Sequence, residues 1–121
     1  MKTLLLLWKA FDYSLQGVRN IFYDETAFRI ELAVAVIFIP AALLLPVSLI
    51  VRILLIGSSL LVLIIELLNT AVEAAVNRIS TEKHMLSAKA NDAGSAAVLM
   101  ASINLVVVWG IVFLDLIFNI S

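Results

Sequence analysis

Polar residues in the first 23 positions recur at steps of three and four. Lys9, Asp12, Gln16, Arg19 and Asn20 form one stripe, while Leu5, Trp8, Phe11, Leu15, Val18 and Phe22 fill the opposite face. That period predicts an amphipathic helix over 1–24 whose aromatic, apolar side suits the plane of a membrane interface. From Leu32 to Val51 the pattern changes to 20 residues without a charge, enough to cross a bilayer, and predicts a helix over about 29–47. Pro40 is expected to kink it and Pro46 to help end it, with PVS as a very short turn.

Only 13 uncharged residues separate Arg52 from Glu66, too few to span alone. No Gly or Pro interrupts Ser58 to Ile79, so the pattern predicts one long helix over 49–79 whose last turns leave the lipid. STEKHMLSAKAN, over 80–91, is the one long polar connection. Ala93 to Leu114 then gives 22 uncharged residues and predicts a last membrane helix over about 92–118. Gly94, Ser95, Ala96, Ala97, Ala101 and Ser102 make its first half small, a composition that lets helices approach closely and pack against protein.

Composition strengthens this picture. The chain has 121 residues, 64% hydrophobic and 14% charged, against roughly half apolar and a quarter charged in soluble domains. The expected fold is an all-α membrane protein of one domain: an N-terminal amphipathic interfacial helix plus three transmembrane helices. So short a chain cannot enclose a roomy site, so any sizeable cavity should be lined by more than one chain. A net charge of -1 argues against nucleic acid as partner. The lack of cysteine excludes disulfides and thiolate metal sites. MKTLLLLWKAF has too short an apolar run for a secretion signal and no small-residue cleavage site, so the N-terminus is expected to be retained. Lys2, Lys9, Arg19, Arg29, Arg78, Lys83 and Lys89 fall on one side of the predicted spans and Arg52 alone on the other. The positive-inside rule then puts the N-terminus and the 80–91 connection in the cytoplasm and the C-terminus outside.

The candidate chemistry lies in ELLNTAVEAAVNRI. At about 100° per residue Asn69 stands roughly 60° and Glu73 roughly 20° from Glu66, with Thr70 and Asn77 on the same stripe. Ionisable groups at this depth face a bundle interior or a wet cavity and mark function by default. DETAFRIE supplies Glu25 and Glu31 at the same membrane face, with Arg29 spaced to pair with Glu25 along a helix. ANDAGS adds Asp92 and Ser95. Carboxylates and an amide without cysteine suit Mg2+, which keeps waters and bridges to phosphates. Glu66 and Glu73 are about 10 Å apart along the helix, too far to share a proton. They can divide the work, Glu73 holding metal and Glu66 taking a proton from a lipid hydroxyl. The four glycines are scattered and no P-loop is present.

Taken together, ELLNTAVEAAVNRI, EKHMLSA, ANDAGSAAVLMA and the upstream DETAFRIE resemble the prokaryotic diacylglycerol kinase family, over Lys9 to about Trp109. The resemblance implies an integral-membrane, Mg2+-dependent lipid kinase of a bacterial inner membrane. It implies a homotrimeric bundle with sites between subunits, passing the γ-phosphoryl of ATP to diacylglycerol to give phosphatidic acid. It further implies Glu66 as catalytic base with Asn69 beside it, and Glu25 and Glu73 as metal ligands. Tyr13, Glu25, Glu73, Glu82, His84, Asn91 and Asp92 fall where the family handles nucleotide. Glu31, Glu66, Ser95 and Trp109 fall where it meets lipid or lines the site.

Two positions depart from the family pattern. Asn91 stands where a phosphate-neutralising lysine is expected and brings no positive charge, which weakens the expected phosphoryl transfer. Lys89 lies about 200° away on a helix and can replace it only if the turn before Asp92 is not helical. An arginine often found in the N-terminal helix is also missing, with Leu6 near its place. The alternatives are an undecaprenol kinase of the same family and, from another class, a small proton-coupled transporter, which would have four spans.

Overall fold

The computed structural model describes residues 1–79 and 84–119, and these fold into four helices: α1 (Lys2–Asp24), α2 (Thr26–Leu44), α3 (Leu49–Ile79) and α4 (Met85–Phe118). Among them α2, α3 and α4 are each long and apolar enough to cross a membrane. The chain is a membrane protein, as its pattern predicts. α3 is the central element, with α2 and α4 packed along it and α1 touching α2 and α3. Ile37, Leu54, Ile64, Val106 and Ile111 point outward from the bundle, exposed, a surface suited to lipid rather than water.

Helix ends leave carbonyls without intrahelical donors, and two arginines meet that need. Glu25 alone joins α1 to α2, in an extended conformation with φ -117° and ψ 113°. Arg29 reaches back across this corner, donating to the carbonyls of Phe22 at 2.8 Å and Tyr23 at 2.9 Å and to Thr26 Oγ1 at 3.0 Å. Its guanidinium thus caps α1; the spacing to Glu25 reflects this corner.

The α2–α3 corner uses Arg52 in the same way. Pro40 sits inside α2, which ends at Leu44, and Pro46 follows the cap residue Leu45. Lacking an N–H, Pro46 cannot donate to the carbonyl of Ala42 four residues back. Arg52 Nε donates there at 3.1 Å, and Nη2 donates to the carbonyls of Leu45 at 2.9 Å and Val47 at 3.3 Å. Ser48 Oγ accepts from the Val51 N–H at 3.3 Å and caps the start of α3.

Near this corner the bundle closes around Ala42, Leu55 and Trp109. The Trp109 ring packs 4.5 Å from Phe38 and 6.0 Å from Phe113. Its Nε1 donates to the carbonyl of Leu55 at 3.2 Å, and the same oxygen accepts from Ser58 Oγ at 3.0 Å and Ser59 Oγ at 2.9 Å.

α4 starts earlier than its hydropathy suggests. Met85 to Ala90 is helical, capped by His84, whose Nδ1 accepts from the Leu86 N–H at 3.1 Å. The polar composition of 80–91 looked like a connection, but Met85 to Ala90 contains no helix breaker and several strong helix formers. Of the small residues in α4, Ala101 is buried and Gly94 and Ser102 are half-buried, while Ala93, Ser95, Ala96 and Ala97 are exposed on the single chain.

Candidate active site

At the end of the bundle nearer α1, the apolar stripe of α3 turns polar without leaving the interior. Glu66 is 6% and Asn69 8% exposed. Thr70 Oγ1 donates to the Glu66 carbonyl at 3.0 Å, and Asn69 Nδ2 donates to Glu73 Oε1 at 3.3 Å. α2 brings the Glu31 carboxyl close enough to the Glu66 carboxyl for the two to interact. Glu31 Oε2, Asn69 Oδ1 and Asn91 Oδ1 are buried without a partner. Each such atom costs about 1–3 kcal/mol relative to a satisfied one. Deeper in the bundle, Glu31, Ala35, Ser59, Val62, Ser102 and Leu105 line a cavity of about 160 Å³.

Toward α1 the stripe opens into a groove of about 480 Å³ between α1, the α1–α2 corner and α3, lined by Asn20, Asp24, Glu25, Thr70, Glu73 and Asn77 among others. Glu25, the single residue of the α1–α2 corner, lines this groove. The donor set fits Mg2+, an ion bound through hard oxygens from one or two carboxylates, waters and phosphates. Glu25 and Glu73, which both line the groove, are the carboxylates that could hold such an ion. Among the described residues no three Asp, Glu or His side chains form a metal-binding group of their own.

The structure therefore brings together Glu25, Glu31, Glu66, Asn69 and Glu73. Asn91 lies on the α4 stripe that continues through Gly94, Val98 and Ala101, half-buried. Because α4 is helical from Met85, Lys89 points about 200° away from Asn91 and does not take its place. Tyr13 is exposed one turn beyond Gly17, on the α1 stripe that lines the groove. Asp92 and Ser95 are exposed on the single chain, and His84 is an exposed helix cap. Glu82 lies outside the described residues. Trp109, expected against lipid or lining the site, is instead 5% exposed in the far core. Its N–H finds a carbonyl at Leu55, about 16 Å along α3 from Glu66.

Sequence reasoning passed over Asp24, Asn20 and Gly94. Asp24 and Asn20 share the α1 stripe with Gly17 at helical spacing, a legible signal beside Glu25. A Cβ on Gly94 would collide with the Asn69 amide, a contact between helices that no spacing within one helix reveals.

Residues 12–113 match the model of the prokaryotic diacylglycerol kinase family. The chain belongs to that family. The matched span includes every site residue placed above, from Tyr13 to Trp109. The chain is 51% identical to a diacylglycerol kinase of Haemophilus influenzae over 98 residues, covering 81% of this chain and 83% of the relative. It is 47% identical to one from Escherichia coli over 101 residues, covering 84% and 83%. It is 37% identical to one from Helicobacter pylori over 113 residues, covering 93% and 88%. With relatives of this identity over most of its length, the chain is an enzyme of the family, a kinase.

Proposed function

We propose that this chain phosphorylates diacylglycerol, transferring the γ-phosphoryl of ATP to its free hydroxyl at the cytoplasmic face of a bacterial inner membrane. The observation that carries the reading is the junction in α3. Glu66 and Asn69 are buried in the bundle, and one or two turns on, Glu73 lines an acidic groove with Glu25. A lipid substrate and a water-soluble nucleotide must meet at such a junction. The names of the relatives support diacylglycerol over undecaprenol. Three candidate spans among the described residues weigh against a four-span transporter.

In this reading the lipid hydroxyl lies against Glu66, whose carboxylate takes its proton as the oxygen attacks the γ-phosphorus. The new O–P bond forms as the bond to the β-phosphate oxygen breaks, and ADP leaves through the groove. Glu25 and Glu73 would hold Mg2+, which when bound offsets the negative charge on the phosphates. Asn69 orients Glu73 through its Nδ2 hydrogen bond, and Glu31 holds the Glu66 carboxyl from the lipid side. Tyr13, His84, Glu82 and Asp92 serve the nucleotide, and Ser95 the lipid. Asp92 and Ser95 stand exposed on one chain. Their exposure supports a homotrimer with each site completed by a neighbouring subunit.

The test is phosphatidic acid formation by purified protein in lipid with Mg2+, ATP and diacylglycerol. Glu66→Gln should lower the rate by about 10³-fold, within the usual span for loss of a general base, while keeping the fold. The reading fails if the wild-type chain and Asn91→Lys both make no phosphatidic acid.

A further inference from the structure

Asn69 has two ends doing different things. Its Nδ2 donates to Glu73, while its Oδ1 is buried with no hydrogen-bond partner. That oxygen is aimed at the backbone of α4, where a Cβ built on Gly94 would overlap it and also crowd Asn69 Cγ. In glycine the Cβ direction carries a hydrogen, so a Cα–H faces the amide oxygen, a weak contact that recurs at helix–helix interfaces. Among the described residues, no other glycine has an atom within 4 Å of its would-be Cβ apart from its chain neighbours and the adjacent backbone of its own helix.

We infer that Gly94 is a positioning residue for the Asn69 amide, its missing side chain setting the orientation in which Nδ2 holds Glu73 over the acidic groove. The amide has two ways round. Turned over, its oxygen would face the Glu73 carboxylate, acceptor against acceptor, so the Glu73 bond selects one orientation and the α4 backbone leaves room for only that position. A methyl at residue 94 takes the space of Oδ1 and forces either the amide off Glu73 or the two helices apart. The would-be Cβ lies 3.9 Å from Asn69 Cβ, an ordinary contact. Removing the amide therefore removes the conflict.

This rests on the proposed reading only in its catalytic arm. The experiment compares Gly94→Ala, Asn69→Ala and the double variant in the full chain, each by melting temperature in lipid and by rate against Mg2+ concentration. Gly94→Ala should melt below the wild-type chain, lose about tenfold in rate, a coupling typical of residues in contact, and need more Mg2+ for half-maximal activity. In the double variant the second change should cost nothing further: it should melt no lower than Asn69→Ala, and its rate and Mg2+ requirement should equal those of Asn69→Ala. If Gly94→Ala does not assemble, recovery of the fold in the double variant is the expected result. Additive losses, or a double variant that stays unfolded, overturn the inference. So does a Gly94→Ala chain that melts and reacts like wild type. The melting arm decides the packing claim even if no lipid kinase activity is found.

Discussion

The two ends of the bundle share helices, and an arginine satisfies carbonyls at a corner of each, but they differ in how they treat buried side-chain polar atoms. At the far end, the Trp109 N–H, the Ser58 and Ser59 hydroxyls and the Arg52 guanidinium all find carbonyls. At the end nearer α1 lie the three buried side-chain oxygens that have no partner among the described residues, on Glu31, Asn69 and Asn91. In hydrocarbon an unsatisfied group has no water to fall back on. A chain that satisfies even the carbonyl stranded by Pro46 has the means to do so elsewhere. The contrast is that the far end satisfies its polar atoms within one chain, whereas the near end keeps buried oxygens that the described residues of one chain leave without a partner.

Substitutions can break that contrast. The largest stability effect should come from Trp109→Ala, which empties the far core and strips the Leu55 carbonyl of one donor; about 3 kcal/mol is expected, by analogy with other large core truncations. Denaturant unfolding in mixed micelles would read it, with the activity per folded molecule little changed. Arg52→Met keeps the apolar stem but leaves the Ala42, Leu45 and Val47 carbonyls bare, for a loss of about 2 kcal/mol in the same assay. If either variant instead abolished catalysis in folded protein, the far end would not be merely structural. The smallest effect sharpens the near end. Asn91→Lys should raise the phosphorylation rate about tenfold, through a charge-assisted contact to phosphate that an amide cannot make, with little change in unfolding. A fall in rate would mean that Asn91 has its own ligand here.

How much of this could be read in the sequence differs by region for physical reasons. The α2 span was legible because uncharged length is a direct demand of the bilayer, and α3 because no Gly or Pro interrupts Ser58 to Ile79. The start of α4 was not, since polarity and helicity are independent and Met85 to Ala90 has both. Glu66, Asn69 and Glu73 could be picked out because one helical stripe holds them, and Glu25 because DETAFRIE and the family resemblance point to it. The burial of Trp109 could not, because its donor and the Leu55 carbonyl are 54 positions apart. The role of Arg52 was hidden for the same reason: it reads as a misplaced positive charge until the carbonyl that Pro46 abandons lies beside it.

The most direct test of the contrast is amide hydrogen exchange of the protein in lipid, with and without Mg2+ and a non-hydrolysable ATP analogue. The account predicts slower exchange from Asn20 to Thr26 and from Thr70 to Asn77 when both ligands are present, and no change from Val47 to Ser59. Equal protection of the two ends, or protection confined to the far end, would contradict it.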